Sequence, residues 1–171
     1  MSYVIPETLI TDRLFLRKPI ESDWEPLTRY YSDAECMKYT RGRALADWEV
    51  WRSIATLIGH WQMRGFGPYA LVEKESQEVI GLSGMWYPLE WPSPEVMWGL
   101  ARNAWGKGFA KEAAGAVLAM TARHVPDIHL ISLISPENVN SIRLAESLGA
   151  AYENTIPFRD TEASVYRHAQ P

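Results

Sequence analysis

A glycine-containing loop between an apolar run and an amphipathic run constrains this chain more than any other feature. Residues 95–100, EVMWGL, have the length and composition of a buried strand. Residues 102–108, RNAWGKG, interrupt that pattern with two glycines. Apolar residues then recur at helical spacing: Phe109, Ala113, Val117 and Met120. The sequence therefore predicts a strand, a tight loop and a helix that begins at or just after Gly108.

The loop has the composition of an anion-binding site. A helix N-terminus carries unpaired N–H groups and a partial positive charge, and glycines before it let the backbone approach an anion closely. Lys107 and Lys111 add full charges. The loop favours phosphate or pyrophosphate, although such glycines also form simple turns. It is not a dinucleotide fingerprint, because Lys111 replaces the third glycine, and it lacks the Gly-Lys-Ser/Thr of a Walker loop.

Composition narrows the remaining classes of function. With 171 residues, 47% of them hydrophobic, we expect one domain over residues 1–171. A net charge of −4 argues against nucleic acid as the main partner. The single cysteine, Cys36, excludes an intrachain disulfide, and the scattered histidines show no metal-ligand spacing, so no metal is expected. No signal-peptide pattern or membrane-length apolar run is present, which predicts a cytoplasmic protein without a membrane partner.

Predicted strands and helices alternate along the chain in the order β-α-α-β-β-β-α-β-α-β-β, which indicates an α+β fold with a mixed sheet. The predicted strands cover residues 10–17, 69–73, 79–86, 95–100, 129–134, 151–158 and 163–167. Helices are predicted before Tyr31, after Asp47, after Gly108 and before Gly149.

Two of these helices carry specific predictions. Ser22 and Glu25 form a capping-box pair for the first helix, and Asp47 is the predicted N-cap of the second. In the second helix an apolar stripe is expected to face the core. Its members are Trp51, Ile54, Ala55, Ile58 and Trp61.

The run EVMWGLARNAWGKGFAKEA resembles the acyl-CoA-binding core of the GNAT superfamily of N-acetyltransferases. It is most similar to the branch that contains the ribosomal-protein N-terminal acetyltransferases, whose members open with a strand like residues 11–17. The superfamily pattern Gln/Arg-x-x-Gly-x-Gly/Ala is matched at Gly106 and Gly108, whereas Asn103 departs from the usual first residue. The resemblance covers essentially the whole chain. It implies the GNAT fold, a mixed, mostly antiparallel sheet of about seven strands flanked by about four helices.

The resemblance also implies acetyl-CoA as co-substrate. Its pyrophosphate would lie on the backbone of residues 105–110, and its pantetheine arm would pair with the exposed edge of residues 97–102. Gly99 inside that strand marks either a bulge that opens the strand or a place that needs room for packing. The implied cofactor-binding residues are Leu100, Ala101, Arg102, Trp105, Gly106, Lys107, Gly108, Phe109, Ala110, Lys111, Asn138 and Ser141.

A second stretch, SPENVNSIRLAESLGA, resembles the family pattern N-x-x-S on the following strand and helix. By resemblance, Asn138 bonds to CoA or to the parted strands, and Ser141 lies near the sulfur. Asn138 or Asn140 could equally be a helix N-cap. Many relatives carry a tyrosine acid seven residues after this asparagine, where this chain has Ala145. Ser141 or a water would have to protonate the thiolate, which is a good leaving group without a strong acid.

Glu95, at the head of the central strand, is the candidate general base and matches a glutamate of the family strand. The alternative is an exposed acid at a strand end, and His60 and His124 are weaker candidates. Trp86, Tyr87 and Trp98 are the candidate acceptor-binding residues, since an aromatic pocket suits an amine, although strand tryptophans usually belong to a core.

The sequence thus predicts an N-acetyltransferase that moves an acetyl group from acetyl-CoA to a primary amine by direct attack in a ternary complex. The acceptor is a small molecule or a peptide N-terminus, and the protein is a monomer or a homodimer. One alternative is a GNAT-like sensor that binds CoA without catalysis. Another is a phosphate loop for a different nucleotide, which the stretch from Asn138 to Gly149 disfavours.

Overall fold

Eight strands form one mixed sheet in the computed structural model, which describes residues 4–169. The spatial order is β1-β2-β3-β4-β5-β6-β8-β7. The strands are β1 (Thr8–Ile10), β2 (Leu14–Arg17), β3 (Pro68–Glu73), β4 (Val79–Trp86), β5 (Glu95–Leu100), β6 (Ile131–Ile134), β7 (Ala151–Phe158) and β8 (Thr161–Arg167). Neighbouring strands are antiparallel except β5 and β6, which are parallel.

The helices lie between these strands in the predicted order. They are α1 (Trp24–Tyr31), α2 (Ala34–Met37), α3 (Asp47–Arg64), α4 (Phe109–His124) and α5 (Val139–Ser147), with 3-10 turns at Glu21–Asp23 and Arg102–Ala104. The α+β class and the mixed, mostly antiparallel sheet are confirmed. One extra strand arises because the predicted opening strand turns back on itself, so that Ile10 pairs with Phe15. The extra helix is the short α2.

Helices cover the sheet on both sides. On one side, α4 packs with buried residues of β2, β4 and β5 that include Leu16, Met85 and Val96. On the other side, α1 and α3 pack on Leu82 and Met97. Because side chains alternate along a strand, β5 presents even-numbered residues to α4 and odd-numbered residues to α1.

The predicted caps of the first two long helices are wrong in detail. The buried Asp23, not Ser22 with Glu25, closes the first turn, since its carboxylate accepts from Ile20 N at 2.8 Å. In α3 the N-cap is Ala46, whose N–H donates to Glu49. In both cases an acidic side chain three residues downstream satisfies the free N–H.

The apolar stripe of α3 is also shifted from the predicted one. Ile54 and Trp61 are buried as predicted, but their inward neighbours are Val50 and Leu57. The other three predicted members, Trp51, Ala55 and Ile58, are exposed. The predicted and the observed stripe both have helical spacing, and both contain Ile54 and Trp61. The sequence alone therefore did not decide which of the neighbouring positions in α3 face the sheet.

Among residues 4–169, no helix is both long and apolar enough to cross a membrane.

Candidate active site

The loop before α4 presents free backbone donors at a helix N-terminus. Gly106 and Gly108 have φ of +72° and +81°, a left-handed conformation that favours glycine. Within the described part of the chain, no partner accepts a hydrogen bond from the backbone N–H groups of residues 106–111. An added Cβ at Gly106 would have no atom within 4 Å, so the space in front of it is open. Such a run of N–H groups fits a pyrophosphate.

Arg13 holds this loop in place from the other end of the chain. Its Nη1 donates to the Lys107 carbonyl at 2.8 Å, and its Nε donates to Glu112 at 2.7 Å. The guanidinium also lies 4.4 Å from the centre of the Phe109 ring. Thr11 donates to the same carboxylate at 2.6 Å. Although partial burial opposes it, these donors lower the pKa of Glu112. The loop geometry is therefore fixed before any ligand arrives.

Sequence analysis did not assign a role to Arg13. The only signal was its place in the opening run that resembles the family strand.

The other predicted cofactor residues divide into buried and exposed groups. Leu100, Ala101 and Phe109 are buried, so their side chains belong to the core and only their backbone can face a ligand. The exposed Trp105 donates from Nε1 to the Leu100 carbonyl at 2.9 Å and so ties the loop to β5. Arg102 forms an ion pair with Asp33 at 2.6 Å. Lys107 and Lys111 are exposed, and Ala110 is half-buried.

β5 and β6 part next to this loop. Their register contains a single pair, Glu95 with Ile131, and the Ile131 N–H donates to the Pro94 carbonyl at 3.0 Å. In a parallel pair the next rung from β6 would run from the Leu133 N–H to the Val96 carbonyl. That rung is absent, and the strands separate beyond it. The gap gives β5 an unpaired edge that an extended ligand can occupy.

Two side chains complete the missing rung. Glu95 accepts from the Leu133 N–H at 3.1 Å, and Ser132 donates from Oγ to the Val96 carbonyl at 2.8 Å. Both freed backbone groups are thus satisfied without a direct bond between the strands. The side chains of Glu95 and Ser132 therefore stabilise the separation of the two strands at this point. Sequence analysis missed Ser132, for which a lone serine in an apolar strand was the only signal.

His168 supports the Ser132 side of this arrangement. Its Nε2 lies 3.0 Å from Ser132 Oγ, whose single proton goes to Val96. Nε2 is therefore the protonated nitrogen, and Nδ1 is buried without a partner among residues 4–169. Burial lowers the pKa of His168 to about 4, so the ring is neutral near physiological pH.

Glu95 lies in a buried polar position rather than at an exposed strand end. It is 7% exposed and also accepts from Trp91 Nε1 at 2.8 Å. Burial raises its pKa to about 7, against the opposing effect of its bonds from Leu133 and Trp91. A carboxylate with this pKa can take and release a proton near neutrality.

Gly99 does not mark a bulge, because the pairing of β5 with β4 runs without a shift from Glu95 to Leu100. An added Cβ at Gly99 would lie 2.1 Å from the hydroxyl oxygen of Tyr30. The packing alternative is therefore correct, and it brings α1 close to the middle of β5.

Asn138 is the N-cap of α5, since its side chain accepts from the Ser141 N–H at 3.3 Å. Trp98 of β5 donates from Nε1 to Ser141 Oγ at 3.3 Å. Glu95 and Trp98 differ by an odd number of positions along β5, so their side chains lie on opposite faces of the sheet. Since Ser141 bonds to Trp98, the two predicted catalytic residues, Glu95 and Ser141, also lie on opposite faces. Glu95 faces the side of α1, and Ser141 lies on the side of α4 and α5.

Two of the three predicted acceptor residues, Trp86 and Tyr87, come together around His60, whereas Trp98 does not. The Trp86 ring stacks on the His60 ring with centroids 4.5 Å apart, and Trp91 contacts Trp86 edge-on at 6.1 Å. His60 Nδ1 bonds to the Phe66 carbonyl, and its Nε2 accepts from the Tyr87 N–H at 3.0 Å. Burial lowers the pKa of His60. With both nitrogens engaged, His60 positions this segment instead of accepting a proton.

The remaining candidates lie apart from this cluster. His124 is exposed at the end of α4, and Trp98 contacts Ser141 instead of Trp86. Among residues 4–169, no group of three or more His, Cys, Asp and Glu side chains could hold a metal ion.

Known proteins are similar to this chain over most of its length. A family model described as acetyltransferase (GNAT) domain matches residues 13–151. An uncharacterized N-acetyltransferase from Bacillus licheniformis, p20, is 34% identical over 163 residues, which cover 94% of this chain and 90% of that protein.

Solved structures share the fold. An acetyltransferase from Agrobacterium tumefaciens superposes with a TM-score of 0.85 at 28% identity and covers 99% of this chain and 98% of its own. The ribosomal L7/L12 α-N-protein acetyltransferase RimL, solved in complex with coenzyme A, has a TM-score of 0.75 at 17% identity and covers 96% of this chain and 97% of its own.

Proposed function

The chain belongs to the GNAT acetyltransferase family, and we propose that it transfers an acetyl group from acetyl-CoA to a primary amine. The observation that carries this proposal is the open edge of β5 beside the free N–H groups of residues 106–111. The loop would hold the pyrophosphate, with charge added by Lys107 and Lys111. The pantetheine arm would follow β5 toward the point where Glu95 and Ser132 part the strands.

The reaction is direct attack in a ternary complex. The amine nitrogen, once neutral, attacks the thioester carbonyl carbon and forms the new carbon–nitrogen bond. The carbon–sulfur bond then breaks, the attacking nitrogen releases its second proton and the thiolate takes one, so that the products are the acetamide and the free thiol. Glu95 is the proposed acceptor of the ammonium proton, because its pKa of about 7 places it near the operating pH.

The placement of side chains about β5 supports this division of roles. Glu95 lies on the face of α1 and α3, so the acceptor would approach from that face. Ser141 lies on the face of α4 and α5, near Trp98, where its hydroxyl proton is free to move toward the leaving sulfur. In this proposal Trp86 and Tyr87 form the wall of the acceptor pocket.

A second candidate function is a sensor that binds CoA without turnover. The observation that favours it is Ala145, which is completely buried at the position of the tyrosine acid in many relatives. Turnover with an amine separates the two functions, since both require the same cofactor cradle.

The test is a calorimetric titration with acetyl-CoA, followed by an acceptor screen that measures thiol release. ATP and NAD serve as controls for nonspecific nucleotide binding. Selective binding of acetyl-CoA with amine-dependent thiol release supports the enzyme. Binding without thiol release from any amine supports the sensor, and equal responses to all three nucleotides contradict both functions.

Gly106→Glu tests the cradle directly. A carboxylate there would face the pyrophosphate, and we expect acetyl-CoA affinity to fall by about 100-fold or more. Gly149→Glu is the matched control, because Gly149 also has a positive φ and no atom within 4 Å of an added Cβ. Circular dichroism checks that both variants fold. Equal affinity in the two variants would contradict the cradle assignment.

A further inference from the structure

The turn between β7 and β8 packs on the segment that joins β4 to β5. The Phe158 ring contacts the Trp91 ring edge-on, with centroids 5.0 Å apart. The Arg159 guanidinium lies 5.0 Å from the centre of the Trp91 ring and 5.4 Å from the centre of the Phe158 ring. It also forms an ion pair with Glu90 at 2.6 Å. Arg159 thus joins two segments that are 69 positions apart in the sequence.

Arg159 occupies a backbone position that usually belongs to glycine. Phe158 and Thr161 are the last paired residues of the hairpin, so its loop consists of Arg159 and Asp160. Arg159 has a φ of +54°, in the left-handed region that disfavours residues with a side chain. Two-residue hairpin loops therefore favour glycine, asparagine or aspartate in this place. An arginine there indicates a role for its side chain that the turn alone does not require.

Trp91 connects Arg159 to Glu95. Its Nε1 donates to Glu95 Oε1 at 2.8 Å, and the Leu133 N–H donates to Oε2 at 3.1 Å. A carboxylate oxygen can accept two hydrogen bonds, so each oxygen of Glu95 keeps one free position. The direction of the indole N–H decides which position on Oε1 stays free. The residues that fix the Trp91 ring therefore also fix the place at which Glu95 can take a proton.

The histidines near Glu95 carry no charge at neutral pH. His60 of α3 stacks on Trp86, which pairs with Glu95 in the register of β4 and β5. His168, which follows β8, bonds to Ser132 of β6. Burial lowers the pKa of both histidines, so both rings are neutral at pH 7. Neither ring therefore competes with a charged group for control of the Glu95 carboxylate.

Arg159 is the charged group that acts on Glu95. Among residues 4–169, its positive charge alone opposes the larger effect of burial on the pKa of Glu95 across space. Arg64 lies 4.9 Å from the centre of the Tyr87 ring, and its charge acts on His60 instead. The other titratable side chains on the neighbouring segments are exposed to solvent: Glu90, Asp160 and His129.

We propose that Arg159 is a positioning residue, which holds the Trp91 indole against the Glu95 carboxylate. The inference rests on the proposed acetyl transfer and adds a residue of the β7–β8 turn to its site. The indole N–H and the guanidinium charge both favour the ionised carboxylate, the form that accepts the ammonium proton. Without Arg159, Glu95 holds its own proton to a higher pH, and a smaller fraction of the protein is ready to react at neutral pH.

The test measures the titration of Glu95 and the reaction separately. The protein is labelled with carbon-13 at the side-chain carboxyl of glutamate, and NMR follows each carboxyl signal through a pH titration. The Glu95 signal is identified by its loss in Glu95→Gln. Over the same pH range, thiol release from acetyl-CoA gives kcat/KM for an amine found in the acceptor screen.

The variants remove the charge and the hydrogen bond one at a time. In Arg159→Gln we expect the midpoint of the Glu95 titration to rise by about 0.5 pH unit, and in Trp91→Phe by about one pH unit. Arg159→Lys keeps the charge and is expected to recover most of the wild-type midpoint. Arg167→Gln is the matched control and leaves the midpoint unchanged, because Arg167 forms an exposed ion pair with Glu153 on the same hairpin at 2.6 Å.

Arg159→Gly separates the role of the side chain from support of the turn. Glycine suits the positive φ, so by urea denaturation this variant is expected to be at least as stable as Arg159→Gln. We expect the Glu95 midpoint to rise equally in the two variants, since both lack the guanidinium. A wild-type midpoint in Arg159→Gly would assign the effect to the turn and overturn the inference.

The outcomes distinguish failure of this inference from failure of acetyl transfer. An unchanged Glu95 midpoint in Arg159→Gln, or an equal rise in Arg167→Gln, overturns the inference whatever the rates. A rise that kcat/KM follows on the pH axis supports both, and a rise that kcat/KM does not follow overturns the positioning role. A rise without thiol release from any amine supports the link from Arg159 to Glu95 and contradicts the enzyme.

Discussion

The two sides of β5 differ in how the strand is joined to the sheet. Toward β4, every residue from Glu95 to Leu100 has a partner in an unbroken antiparallel register. Toward β6, one residue pair exists, and side chains of Glu95 and Ser132 take the place of the next rung. The complete side fixes the strand, and the incomplete side leaves an edge that a substrate can occupy.

This difference shows that an open strand edge requires its own stabilisation. A backbone N–H or carbonyl that loses its partner in a buried place costs free energy unless another group replaces that partner. Leu133 and Val96 each obtain a side-chain partner, so the sheet divides without leaving either group unsatisfied. Three predictions test the two sides separately.

The largest effect is expected on the complete side. Gly81 faces β5, and an added Cβ would lie 2.2 Å from the Gly99 carbonyl oxygen and 2.9 Å from Leu100 Cα. Because both contacts are with backbone, Gly81→Ala must displace β5, and we expect the free energy of unfolding to fall by about 3 kcal/mol. Urea denaturation followed by circular dichroism measures this change.

Gly115→Ala in α4 is the control for that experiment. Its added Cβ would meet Leu148 at an ordinary 3.8 Å, and alanine is favoured over glycine in a helix by about 1 kcal/mol. The control is expected to be as stable as the wild type or slightly more so. Equal stability of the two variants would contradict the tight junction of β4 and β5.

The next effect concerns Glu95 and depends on pH. Its pKa is raised from 4.5 to about 7 in the folded protein. As pH rises through this range, the unfolded chain ionises first, so the free energy of unfolding falls by about 3 kcal/mol and then levels off above pH 7. Glu95→Gln removes this contribution, so its stability relative to wild type increases with pH.

Denaturation of both proteins at pH 4.5, 6 and 8 measures the difference, and the other titrating groups cancel in the comparison.

The same variant also tests the catalytic role of Glu95. In the wild type, kcat/KM at saturating acetyl-CoA is expected to rise through about pH 7 as the carboxylate ionises. If the stabilities of the wild type and Glu95→Gln depend on pH in the same way, the pKa of Glu95 is not raised. If Glu95→Gln keeps the pH–rate profile of the wild type, Glu95 is not the general base.

The smallest effect compares two serines that bond to β5 from opposite sides. Ser132 bonds to the Val96 carbonyl, and Ser83 of β4 bonds to the Met97 carbonyl at 2.9 Å. Ser132→Ala also leaves the His168 Nε2 proton unpaired. We therefore expect the free energy of unfolding to fall by about 2 kcal/mol in Ser132→Ala and by about 1 kcal/mol in Ser83→Ala.

Acetyl-CoA affinity gives the sharper contrast between these two variants. Ser132→Ala disturbs the point where the strands part and is expected to weaken binding by about tenfold, whereas Ser83→Ala leaves the open edge unchanged. Calorimetry at 25 °C provides both values. If the two variants bind acetyl-CoA equally well, the parting of the strands does not depend on Ser132.

The sequence predicted the order of elements because strand, turn and helix signals are local. The loop from Trp105 to Gly108 and the start of α4 followed from glycine placement and helical periodicity. Glu95 was found by its place in the family strand, but its burial and bond to Leu133 depend on β6, which lies more than thirty residues later. The local spacing of residue types in the sequence does not report a contact between residues so far apart along the chain.

Errors occurred where two local patterns were equally good. The carboxylates of Asp23 and Glu49 accept from the free N–H groups of Ile20 and Ala46, and no local signal in the sequence distinguished these acids from Ser22 and Asp47. Trp51 is large and apolar, yet it is 44% exposed and donates to Glu21. Packing against the sheet, which periodicity alone does not specify, decided which side of α3 is buried.

The tether between Arg13 and Lys107 has a consequence for how the protein responds to its ligand. The two residues are 94 positions apart, and Arg13 lies in the hairpin at the edge of the sheet. β1 is mostly exposed, and segments with few buried contacts open more readily in native-state fluctuations than core strands do. Here, opening would release the carbonyl that shapes the cradle, so occupancy of the cradle and closure of the hairpin are thermodynamically linked. Bound acetyl-CoA should therefore slow amide hydrogen exchange in β1 and β2, far along the chain from the loop that holds it.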